Sequence, residues 1–127
     1  LSIETKKEEY KKFNGSWVQT RCNSDGIENS NEVYGLTPIV TFNENTFLVA
    51  STEGTILIKG TFSLNTNATL KEINWTDTYG NDAGKTFPAI YEISESTLSF
   101  CAANENMCRP RAFEPRIGHT IRTFTRQ

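Results

Sequence analysis

The sequence predicts an all-β fold: an eight-stranded antiparallel up-and-down barrel preceded by a short N-terminal helix. Three observations predict it. After Gly15 the chain breaks into eight short runs in which apolar and polar residues alternate, the period-2 pattern of strands with one buried face. Clusters of Asn, Asp, Ser and Gly separate the runs, the composition of hairpin connections, so neighbouring strands pair antiparallel. Eight strands on short links close into a barrel, which removes the exposed edges that an open sheet must protect. A sandwich is the competing arrangement.

The first element is "SIETKKEEYKKF", read as a helix with Ser2 as N-cap, Glu4 in the first turn and lysines towards the end. Its narrow apolar stripe is Ile3, Tyr10 and Phe13. The strands follow as "SWVQTRC", "PIVTF", "TFLVAST", "TILIKGTFSL", "LKEINWT", "FPAIYEI", "TLSFCA" and "HTIRTFTR". Assigning one face of each to the interior selects Trp17, Val40, Phe42, Phe47, Val49, Ile56, Ile58, Phe62, Leu64, Ile73, Trp75, Tyr91, Ile93, Leu98, Phe100 and Phe124. Gly60 interrupts its strand on that face and marks a bulge or tight bend, which a strand curving round a small barrel needs.

A chain of 127 residues is one domain on length, with the helix over 1–13 and the barrel over 15–126. The net charge of −2 argues against a general polyanion binder, so no nucleic-acid partner is expected. The charge is nonetheless uneven, with five arginines against Glu114 alone between Arg109 and Gln127. No apolar run approaches the roughly 20 residues of a membrane span, and no signal-peptide h-region is present, which makes the chain cytosolic or already processed. Cys101 and Cys108 flank "AANENM", a polar stretch that as a hairpin brings both sulfurs within disulfide reach and leaves Cys22 unpaired. The alternative is three reduced thiols, with Cys101 a small buried hydrophobe. The disulfide is the favoured reading, and with it a secreted or periplasmic location.

Catalytic and metal chemistry find little support. "GNDAGKT" ends in the Gly-Lys-Thr of a phosphate-binding loop, but only Asn81, Asp82 and Ala83 separate Gly80 from Gly84, and a strand rather than a helix follows. It reads as a turn between strands. His119 is the single histidine, so a multi-histidine zinc site is excluded and no nucleophile motif accompanies it. Glu92 falls on the outward face and Glu95 in a turn, so they form no carboxylate pair. Asp77, Asn81 and Asp82 lack the alternating ligands and distal Glu of a calcium loop. Asn14, Asn67 and Asn74 open N-x-[ST] matches, which carry little weight in an Asn- and Thr-rich chain. No enzyme activity, cofactor or metal is expected.

"FNGSW", Phe13 to Trp17, resembles the Gly-x-Trp segment of lipocalins, in which a short N-terminal helix closes one end of the barrel. The later blocks "VTFNENTF", "GTFSLN", "KEINWT", "GKTFPAIYEISESTLSFCAA" and "RPRAF" resemble, in order, a bacterial family of uncharacterised lipocalin-like domains numerous in planctomycetes. Ala89 departs from the glycine that those proteins tend to carry. The resemblance implies a calycin-type eight-stranded barrel and supplies no catalytic residues. It also implies that Arg126, or Arg122 on the same strand face, packs across Trp17 at the closed end, where a guanidinium over an indole face gains about 0.5–2 kcal/mol.

Two functions suit such a barrel. The first is binding of a small apolar or amphipathic molecule inside it, entering opposite Trp17 and resting among Phe47, Ile58, Phe62, Trp75, Tyr91 and Phe100. Arg109 and Arg111 are placed near that rim, which favours an acidic head group. The second is a protein-interaction or inhibitor module that uses the loops "NSDGIENSNE", "DTYGNDAG" and "PRIGH" of a solid barrel. A monomer is expected in either case.

Overall fold

Each of the eight alternating runs is a strand in the computed structural model of the chain, which describes residues 3–29 and 37–127. Helix α1 spans Ile3–Phe13. It is followed by β1 Gly15–Ser24, β2 Ile27–Asn29, β3 Pro38–Asn43, β4 Thr46–Ser51, β5 Ile56–Asn65, β6 Glu72–Tyr79, β7 Thr86–Ile93, β8 Thr97–Ala103 and β9 His119–Arg126. Neighbours pair antiparallel in the order β2-β1-β3-β4-β5-β6-β7-β8-β9, and β9 returns to β1 from Trp17↔Arg126 to Ser24↔Thr120. The result is a closed eight-stranded up-and-down barrel of the lipocalin type with β2 as an extra strand. The sandwich is excluded. Ser2, the side chains of Ile3 and Glu4, and the end of the "NSDGIENSNE" loop at 30–32 lie outside the described residues.

Strand β2 corrects the reading of 23–32 as one loop. Asp25 and Gly26 both have positive φ, 56° and 85°, as a two-residue type I′ hairpin turn requires, and Ser24 pairs with Ile27 across them. Arg21 and Glu28 form an ion pair over this hairpin. The tip is fastened to the start of β9, because the Gly118 amide donates to Asp25 Oδ1 at 2.8 Å.

Bulges set which side chains face inward. The β4–β5 register shifts between Val49 and Ala50, with Val49 opposite Ile58 and Ala50 opposite Ile56. The extra residue, Leu57, lines the interior, while Ile56, expected inside, is 39% exposed. At Gly60 a second shift bends β5 against β6. A Cβ there would lie 2.1 Å from the Thr76 carbonyl oxygen and 2.7 Å from the Phe47 ring, so the strand approaches its neighbours as only glycine permits.

Helix α1 closes one end. Phe13 is fully buried, with ring centroids 5.3 Å from Phe42 and Phe62 and 5.2 Å from Tyr91, and the Tyr10 ring lies tilted against Phe62 at 5.3 Å. The indole N–H of Trp17 donates to the Phe13 carbonyl at 2.8 Å. Arg126 lies over the Trp17 ring, its guanidinium carbon 4.0 Å from the centroid, and donates to the carbonyls of Lys12, Asn14 and Glu95. One side chain thus covers the core tryptophan and satisfies carbonyls at the helix end. Glu9 is also buried here. It accepts from Tyr91 Oη at 2.6 Å, Lys71 Nζ at 3.0 Å and Lys12 Nζ at 2.8 Å. Burial pushes its carboxyl up, but these donors outweigh it and hold the pKa at about 2.

The β8–β9 connection, 104–118, is not a tight hairpin. It lies along the outside of the barrel, where Phe113 covers a second apolar cluster of Ile90, Cys101 and Ile121. This corrects the proposed disulfide. Cys101 points outward beneath the connection and is fully buried, Cys108 is exposed further along it, and all three cysteines are free. Burial holds the Cys101 thiol above its usual range, which further suppresses its reactivity. In the native protein a maleimide is expected to label Cys108, with Cys22 and Cys101 reacting only after unfolding. A Cys101–Cys108 peptide in a non-reducing digest would reverse the correction.

Candidate ligand-binding site

The barrel is solid at the helix end and hollow at the other. Along the strands the inward side chains shrink towards the open end, from Phe42 to Val40 and Pro38, from Phe47 to Val49, and from Phe100 to Ala102. Aromatic rings therefore meet in one layer, and smaller groups above them leave a cavity of about 430 Å³. Trp75 is the centre of that layer. Its ring lies 4.9 Å from Phe100, 5.2 Å from Phe47 and 6.0 Å from Phe42, and Phe100 stacks in turn on Phe124 at 5.9 Å. A volume of this size falls within the range of small-molecule pockets.

Polar groups stand on two walls above the rings. On one, Arg122 of β9 projects inward and donates from Nη1 to Oε1 of the buried Gln19 on β1 at 2.8 Å. No carboxylate lies within ion-pair distance of Arg122 among the described residues. On the other wall, Asp77 of β6 is 8% exposed, and burial with the nearby Asp82 charge pushes its pKa up to about 6. Asp82 itself is held by Lys85 at 3.1 Å. The indole Nε1 of Trp75 is buried and has no hydrogen-bond acceptor among the described residues. Such groups are costly while unpartnered, and they orient a ligand that partners them.

Of the residues expected to contact a ligand, Phe47, Ile58, Trp75 and Phe100 line the cavity. Phe62 and Tyr91 do not; they face inward in the solid half, against Phe13 and, for Tyr91, Glu9. Arg109 is not at the rim. The long connection carries it to the outer wall, where it donates to the carbonyls of Ile73 and Ala89 and to Asn74 Oδ1, and lies 3.6 Å from Glu72. Arg111 is exposed beside Leu70, also outside the barrel. The arginine inside is Arg122, which the Trp17-packing role implied by resemblance had claimed as the alternative to Arg126. Alternation with Phe124 is the sequence signal for its inward direction. Asp77, the first residue of the expected loop "DTYGNDAG", belongs instead to β6 and shares the inward face of Trp75.

The Gly-Lys-Thr stretch forms the turn from β6 to β7, with Gly80 and Gly84 at φ 105° and 90° and strands on both sides. It presents no helix N-terminus to a phosphate. Among the described residues no group of His, Cys, Asp and Glu is placed to hold a metal ion, and no helix is long and apolar enough to cross a membrane. Comparison of the chain with protein-family models, with curated proteins and with solved structures finds no match.

Proposed function

We propose that the protein is a lipocalin-like carrier that binds a small amphipathic acid in the open half of its barrel and performs no catalysis on it. The observation that carries this reading is the hollow above Trp75, an aromatic floor under a guanidinium that lacks an acidic partner. The apolar part of a ligand displaces poorly bonded water from the rings, and its acidic group completes the contacts of Arg122. Desolvation within the barrel strengthens that pairing relative to water.

The test is titration with 8-anilinonaphthalene-1-sulfonate, an aromatic dye with a fixed negative charge. Micromolar binding with energy transfer from tryptophan is expected, with transfer reduced in Trp75→Phe. Arg122→Gln should weaken the dye by about tenfold, the loss of roughly 1.4 kcal/mol that a partly exposed charge pair supplies. No binding by the folded protein would remove the reading. Ile27 and Ile117, 64% and 83% exposed near the open end, support a second reading in which this rim contacts a protein.

A further inference from the structure

The two cavity walls carry opposite charges that do not meet. Arg122 on β9 and Asp77 on β6 are separated round the barrel by β7 and β8, and no ion pair joins them. Asp77 accepts no side-chain or backbone hydrogen bond at its carboxyl among the described residues, and Lys85, the nearest turn lysine, is engaged by Asp82. A buried carboxylate without a partner is unfavourable, and a guanidinium held by one neutral amide is only partly satisfied. Neither residue stabilises the empty barrel through the other. Both charges are therefore placed for something between them.

Resting on the ligand-binding reading above, we infer that the ligand is a small aromatic ampholyte, with an acidic group for Arg122, a ring on the Trp75 layer and an ammonium group for Asp77. The separation of the walls specifies more. The two charges stand on different walls of the cavity, with β7 and β8 between their strands, so the acidic and cationic groups are assigned to opposite ends of the ring. The flanking aromatics Phe47, Phe87 and Phe100 leave the middle of the site apolar. A ligand of this kind pairs both wall charges, and a ligand with one charge leaves the other unpartnered.

Calorimetry at pH 8, where Asp77 is ionised, separates these cases with four probes: 4-(2-aminoethyl)benzoate, 4-ethylbenzoate, 2-phenylethylammonium and phenylalanine. The first is expected to bind at least about tenfold more tightly than each of the others. Asp77→Asn should reduce it to the affinity of 4-ethylbenzoate, and Arg122→Gln to that of 2-phenylethylammonium. Equal affinity for 4-ethylbenzoate and 4-(2-aminoethyl)benzoate would overturn the inference and leave the acid-binding reading in place. Tighter binding of phenylalanine would overturn the end-to-end arrangement. Loss of all four probes together with the sulfonate dye would remove both.

Discussion

Trp17→Ala is expected to destabilise the protein by about 3–5 kcal/mol, the range for truncating a buried tryptophan. The indole is fully buried between α1 and the barrel, and two further interactions end with it. Its N–H to the Phe13 carbonyl fixes the last turn of the helix, and its ring carries the Arg126 guanidinium that donates to three more carbonyls. Removing the ring leaves a cavity at the point where helix, β1 and β9 converge. Urea denaturation of both proteins measures the difference, and a loss below about 1 kcal/mol, within the scatter of surface substitutions, would mean that the closed end does not depend on Trp17. Affinity for the dye should change little in the fraction that remains folded, because Trp17 does not line the cavity.

Asp77→Asn is expected to act in the opposite direction and to stabilise the empty protein at pH 8 by about 1–3 kcal/mol. Its folded pKa of about 6 lies above the ordinary 3.8, a shift of roughly two units at 1.36 kcal/mol each, less the cost of burying the amide. Because the folded value is raised, the neutral form is the one favoured by folding. Its contribution is fully present below pH 3.8 and is lost as pH rises through about 6. The charged groups round it are Asp82, which raises the value further, Lys85, which is paired to Asp82, Lys59 on β5, which lies over the Tyr79 ring, and Arg122 across the cavity. Wild type and variant should therefore be alike at pH 3, diverge between about pH 4 and 6, and differ by a constant amount above. A variant less stable than wild type at pH 8 would show that the carboxylate already has a partner in the empty barrel. A residue that weakens the fold while facing a cavity is better explained by binding than by structure.

The eight strands were legible because alternation and turn composition are local properties of the chain. What escaped depended on partners distant in sequence. The direction of Phe62 and Tyr91 was readable, but their height in the barrel follows from strand tilt and stagger, which no single run encodes. The exchange of Ile56 for Leu57 arises from a bulge fixed by the β4 register. Glu9 shares a helix face with Phe13, and its burial became affordable only through Lys71 and Tyr91 on the strands. Arg109 was misplaced because a connection of unknown path carries it outside. Asp25-Gly26 was a readable hairpin signal, obscured because the three residues of β2 are too few to alternate.

The division of one barrel into a solid half and a hollow half is tested most directly by a crystal structure under xenon pressure, since xenon occupies apolar cavities that packed cores deny it. Xenon is expected above Trp75, among Phe47, Ile58 and Phe100, and absent among Phe13, Phe62 and Tyr91. A barrel that takes up no xenon above Trp75, with side chains filling that space, would contradict a binding cavity and leave the exposed rim as the functional surface.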